Sequence, residues 1–152
     1  MMTTLAKVKL PQPESLIHQT MEDAFPDVDP GERPLGSLVL LQIKRPATKT
    51  KSGFQLSGYD METEFDNTKI AKVIAMGRLA FCSRTTGEQW PEGAWVKVGD
   101  YIRISQHNVG TWTVPMPGTR GTTIEDRITF GLMDDLQCKS IVDDPLKTKA
   151  FF

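Results

Sequence analysis

The chain has 152 residues, which favours one domain and leaves no room for a nucleotide-binding domain beside a separate catalytic one. Its hydrophobic share of 39%, taken with 12 glycines, is that of a globular chain and excludes wholesale disorder. Lysine and arginine number 18 against 19 aspartates and glutamates, with the signs interspersed at a net charge of −1, so the concentrated basic face that nucleic acid requires is not expected.

Residues 1–32 read as an extension. Met1 to Leu10 carries two lysines but no apolar core followed by small residues, so it is not expected to be a secretion signal. No stretch of the chain approaches the roughly 18 uncharged apolar residues of a membrane helix. A cytoplasmic location with no membrane partner follows as an expectation. Six of the 10 prolines lie within residues 1–46, so regular structure there must be short. Between Pro13 and Pro26, Leu16, Ile17, Met21, Ala24 and Phe25 recur at helical spacing, Ser15 can cap, and Pro26 stops the run. This predicts one short amphipathic helix whose apolar face packs on the main domain or, as the less favoured reading, docks on a partner.

From Ser37 the period shortens. Ser37 to Lys44, Lys69 to Met76, Trp95 to Val98, Tyr101 to Ser105, Arg127 to Leu132 and Leu136 to Val142 are short apolar runs bounded by Gly, Pro, Asp or Asn, the pattern of strands. Such strands without intervening helices predict an all-β fold, a small barrel or sandwich. Two connections are longer than this economy needs. The first, residues 46–67, is mostly polar, yet Gly53-Phe54-Gln55-Leu56-Ser57-Gly58 sets two large apolar side chains on alternate positions between glycines. Connections beyond about 12–15 residues are usually functional or disordered. The segment reads either as a recognition loop or as a hairpin arm folded back on the body. The second, Gly77 to Gly93, reads as a hairpin turning at Arg84-Thr85-Thr86-Gly87-Glu88, with Trp90 packed at its base.

The histidines are His18 and His107 and the cysteines Cys82 and Cys138, none at metal-ligand spacing. No metal, cofactor or catalytic residue is expected. A phosphate-cradling GxxxxGK[ST] is absent, and so is the G-x-G-x-x-G of a dinucleotide-binding partner domain. A second binding class remains open: a small barrel gripping single-stranded nucleic acid through Trp90, Trp95, Tyr101 and Trp112, although stacking aromatics need a basic groove beside them.

Taken together and in order, these segments resemble the GroES-type co-chaperonins. Arg33-Pro34-Leu35 and the strand Leu38 to Lys44 are similar to the family's opening. Lys49-Thr50-Lys51-Ser52-Gly53-Phe54-Gln55-Leu56 is similar to its mobile loop. Ala71 to Gly77 and Val96-Lys97-Val98-Gly99-Asp100-Tyr101-Ile102 flank the position of its roof hairpin, and Ile128 to Leu136 with Lys139 to Val142 are similar to its closing strands. The resemblance spans residues 33–142, with a mobile loop at 46–67, a roof hairpin at 77–95 and a tail at 143–152. It implies a GroES-like β-barrel, a homo-oligomeric, heptameric ring, and a lid on a GroEL-type chaperonin that encloses an unfolded client while the chaperonin hydrolyses ATP. Gly53, Phe54, Gln55 and Leu56 would grip the chaperonin. Leu38 and Leu40 of one copy would meet Lys139 and Ile141 of the next, and Arg84 and Glu88 would lie near the roof tip. The family's aliphatic tripeptide is replaced here by Phe54-Gln55-Leu56, residues 109–123 are longer than the family's connection, and the helix before Arg33 has no counterpart in short bacterial lids. That mixture is similar to lids encoded by bacteriophages, which act on a host-encoded chaperonin.

Overall fold

The computed structural model describes residues 17–46, 49–50 and 70–146. Their elements, in order, are β1 (Ile17–His18), α1 (Met21–Ala24), β2 (Leu38–Ile43), β3 (Lys49–Thr50), β4 (Ile70–Met76), β5 (Tyr101–Arg103), β6 (Val109–Pro115) and β7 (Arg127–Asp134). Among the described residues the regular elements are mostly strand, with very little helix. β5, β4, β2, β7 and β6 form one antiparallel sheet in that order, and β1 pairs with β3.

β2 is the central strand. Leu40 lies opposite Ala75 of β4 on one side and Leu132 of β7 on the other. A bulge inserts Ile74 between the pairs Leu40 with Ala75 and Leu41 with Val73, which locally sharpens the sheet's twist. Because side chains alternate across a strand, the register sorts the sheet into two faces. On the first, Val39, Leu41, Ile43, Ala71, Val73, Ile102 and Met133 form a buried core under Phe81, Val96 and Trp90 from the connection 77–100. On the second, Leu40, Ile128 and Phe130 are buried beneath Val28, Trp112 and Val114. Gly131 is required where β6 and β7 approach most closely, because a Cβ there would drive into the Val109 side chain.

Residues 25–34 cover the second face, so the extension is built into the body. The Gln42 side-chain amide donates to the Pro26 carbonyl at 2.8 Å, and the Trp112 indole N–H donates to the Pro30 carbonyl at 3.0 Å. Ala24 and Phe25 sink into a third cluster with Ile70, Val142 and Tyr101.

Several expected elements differ. Among the described residues the expected helix is one turn, Met21–Ala24, and its cap is Thr20, whose hydroxyl accepts from the Asp23 N–H while Asp23 reaches back to the Thr20 N–H. Ser15, the expected cap, and Leu16 lie outside the described residues. Ile17, expected inside the helix, is instead paired as strand with Thr50. Val109–Pro115, expected to be part of a long connection, is a seven-residue strand. Val109, Thr111, Trp112, Thr113 and Val114 are strand formers, and all seven residues pair with β7 across the breaks at Gly110 and Pro115. Trp95 to Val98 and Leu136 to Val142 are not strands. The former ends in a turn at Gly99 (φ 100°), and the latter is a 3-10 turn followed by a single bridge from Ile141 to Ile102.

Candidate functional site

The long connection joins two strands that are neighbours in the sheet, and this places its roots side by side. At the base, Ile43 lies opposite Ala71, and the Lys44 N–H donates to the Ile70 carbonyl at 2.9 Å. The outgoing root is also held by the extension. The Arg45 N–H donates to the Ala24 carbonyl at 3.0 Å, the Gln19 amide donates to the Arg45 carbonyl at 2.8 Å, and β3 runs antiparallel to β1. On the returning side Ile70 is fully buried against Ala24 and Phe25. The two ends of the connection thus leave the sheet from a hydrogen-bonded, apolar stem. Gly53, Phe54, Gln55 and Leu56 lie outside the described residues.

Arg45 organises this corner. Its guanidinium donates to the Asp23 carbonyl at 3.0 Å and to the Glu125 carbonyl, joining the end of α1 to the turn before β7. Burial pushes its pKa below the ordinary arginine value, an effect opposed by the charges of Asp23, Asp126 and Glu125.

Leu38 and Leu40 belong to a strand paired on both sides within the chain. β2 therefore has no open edge for a second copy at these residues. Lys139 and Ile141 lie beyond β5, where the Arg103 N–H donates to the Ser140 carbonyl and the Val142 N–H to the Tyr101 carbonyl. Two strands, β4 and β5, separate them from β2. Lys139 is exposed, and Ile141 is 52% exposed.

The connection 77–95 is packed against the body. Its turn is closed by the Ser83 N–H on the Glu88 carbonyl and the Gly87 N–H on the Ser83 carbonyl, with Cys82 bridged to Gln89. Arg84 reaches back from this turn to Asp135, with its guanidinium 2.6 Å from Asp135 Oδ1 and 3.6 Å from Asp134. Asp135 is completely buried, and its other oxygen accepts the Phe81 N–H at 2.7 Å. Phe81 is held in a left-handed conformation (φ 58°) with its ring fully buried. Burial alone would push the Asp135 carboxyl up, but hydrogen bonds from Arg84 and Phe81 hold it below the ordinary carboxylate range. Glu88 is exposed. Asp135 was not marked by the sequence, since an Asp-Asp pair at a strand end has the composition of a solvated turn.

The four aromatics considered for base stacking do not share a platform. Trp90 and Trp95 pack with each other (5.1 Å between centroids) and with Phe81, Trp112 stacks on Phe130, and Tyr101 lies against Phe25. Among the described residues no three His, Cys, Asp or Glu side chains gather as a metal site, and no helix is long and apolar enough to cross a membrane. No protein-family model matches the chain, and no curated protein matches its sequence.

Proposed function

We propose that this chain is a co-chaperonin of the GroES type: a subunit of a ring-shaped lid with a GroES-like barrel, which docks on a GroEL-type chaperonin through Phe54 and Leu56 and closes the chamber over an unfolded client. The supporting observation is the stem. A recognition loop needs a long tether whose two ends leave a rigid body together, and the segment after Arg45 departs and returns between the hydrogen-bonded neighbours β2 and β4.

Energetics favour many loops over one. Ordering backbone costs about 1–2 kcal/mol per residue, whereas burying Phe54 and Leu56 stabilises the contact by only about 1.5–3 kcal/mol each. One loop therefore binds weakly. In a ring each contact after the first is intramolecular, and avidity exceeds single-site affinity by about 10²–10⁴. Weak individual contacts also allow the lid to leave. Gly53 permits the turn into the contact and Gln55 faces its polar rim. Since β2 is central, the seam between copies uses other edges than those of Leu38 and Leu40. The ring acts in the cytoplasm, of the host if the chain is phage-encoded.

Co-sedimentation with purified bacterial chaperonin and ATP tests the proposal. The chain is expected to pellet with the chaperonin only when nucleotide is present, and native mass measurement is expected to give a ring near seven times 17.0 kDa. Phe54→Asp should abolish co-sedimentation and leave the ring intact. Unchanged co-sedimentation would remove the loop from the mechanism, and a monomeric parent chain would remove the lid.

A further inference from the structure

The first face of the sheet does not end in apolar packing. Beyond the core, strand alternation places Thr111 and Thr113 of β6 and Arg127 and Thr129 of β7 on that same face, with Thr113 opposite Thr129 and Pro115 opposite Arg127. Arg45, two residues after Ile43, continues the face from β2. These side chains, with Pro46 and Ile124, wall a cavity of about 190 Å³.

Two guanidinium groups thus border one small space, and neither forms an ion pair among the described residues. Both ion pairs shown among the described residues belong to Arg84. Arg45 is only 9% exposed and spends its two hydrogen-bonded nitrogens on main-chain carbonyls, while its Nε–H is buried with no acceptor. Buried polar groups are nearly always matched, so an orphan on a charged side chain calls for an explanation. Arg127 is half-buried, and among the described residues its side chain makes no hydrogen bond or ion pair. The three threonines add hydroxyl donors at no charge.

From this arrangement we infer that the cavity is a binding site for a small oxyanion of phosphate size. Planar guanidinium forks match the oxygens of such an ion, and the pairing is charge-assisted. The size sets the class. At about 30 Å³ per water, the space holds a hydrated phosphate, and it is smaller than the roughly 300–1,000 Å³ of pockets for drug-sized ligands. The carboxylates of Asp23, Asp126 and Glu125 lower the positive potential at Arg45, which makes Arg127 and the hydroxyls the deciding contacts. The bound ion would tie the outgoing root of the long connection to β6 and β7. The inference does not rest on the lid reading.

The test follows the arginine Nε–Hε resonances of the full chain by nitrogen-15 NMR while inorganic phosphate replaces chloride at constant ionic strength. Saturable shifts confined to Arg45 and Arg127 are expected. Arg127→Gln should weaken binding by about tenfold or more, the usual consequence of losing a charged hydrogen-bond partner. Thr113→Val, at an exposed position, should weaken it without changing the melting temperature. Arg45 is left intact because its loss would undo the corner that the site is built on. A phosphate monoester titrated in parallel identifies the source. Equal affinity means the site takes the phosphate end of a larger molecule, and weaker binding means it takes the free ion. Non-saturating shifts, shifts equally produced by chloride, or binding unchanged in both variants would overturn the assignment.

Discussion

Replacing Phe25 by alanine separates an extension that is part of the body from one that merely hangs from it. Phe25 is 6% exposed, its ring centroid is 5.0 Å from that of Tyr101, and it shares a cluster with Ile70 and Val142. Losing the ring forfeits about 1.5–3 kcal/mol of apolar burial and about 0.5–1.5 kcal/mol from the aromatic pair. Because Ile70 and Val142 are fixed by main-chain hydrogen bonds, the hole collapses only in part, and the total approaches the roughly 3–5 kcal/mol typical of a core Phe→Ala change. Against a domain stability of about 5–15 kcal/mol, this is a large fraction. At about 2–4 °C per kcal/mol for a chain of this size, the melting temperature should fall by roughly 6–20 °C. The assay is thermal unfolding followed by far-ultraviolet circular dichroism, with Met21→Ala as a control. Met21 sits one turn away, at the start of the helix that Phe25 caps, but is 36% exposed, so its loss should change stability by no more than about 0.5 kcal/mol. A Phe25→Ala melt within about 2 °C of the parent, or equal effects of the two substitutions, would refute the reasoning that the extension closes the sheet.

Two further outcomes follow from the buried groups around the connection 77–95. The Asp135 carboxyl is held below its ordinary value of about 3.9, so the unfolded chain binds its proton first. The stability that Asp135 contributes is present above that value and lost as pH falls through the lower folded one. Urea midpoints measured from about pH 5 downward should therefore fall more steeply in the parent than in Asp135→Asn, and parallel curves would show that the carboxylate does not anchor the turn. Burial pushes the Cys138 thiol up to about 11, whereas Cys82 is half-buried. Because the thiolate is the reactive form, a soluble alkylating reagent near neutral pH should label Cys82 first under native conditions, as read by peptide mass mapping. Equal rates would contradict the packing of Cys138 in the core.

The legible parts of the fold are those whose pattern is local. β2, β4, β5 and β7 carry Val, Leu, Ile or Phe at strand spacing between turn residues, and all four were expected close to where they lie. β6 is strand for a different reason. Gly110 and Pro115 interrupt the pattern of its strand formers Val109, Thr111, Trp112, Thr113 and Val114, and pairing with β7 along its whole length carries the strand through both breaks. Ile17–His18 is a similar case, since its partner lies more than thirty residues away at Lys49–Thr50. Trp95 and Val96 have strand composition but serve as a cap, packing on Phe81 over the first face. Phe54 and Leu56 stand out in the sequence against polar neighbours, and both lie outside the described residues. Arg45 and Asp135 do not stand out, because a charged residue at a strand end looks solvated until the elements that bury it are in place.

The stem also bears on how a loop of this kind can act. Both of its roots are gripped by the extension: Arg45 by the Ala24 carbonyl and the Gln19 amide, Ile70 by the apolar surface of Ala24 and Phe25. The extension is in turn tied to the second face of the sheet through Pro26 and Pro30. Residues fixed before binding lose no entropy when a partner arrives, so a held stem confines the ordering cost to the chain beyond it. It also aims that chain in one direction relative to the sheet. Loosening the extension should therefore weaken any contact made by the chain beyond the stem. In the proposed ring this effect would be multiplied, because a loosened stem in each copy lowers the effective concentration at its own groove. Phe25→Ala, assayed for co-sedimentation below its melting temperature, should then reduce binding while Phe54 and Leu56 are unchanged. A loop that needed only length and two apolar side chains would bind as well as before.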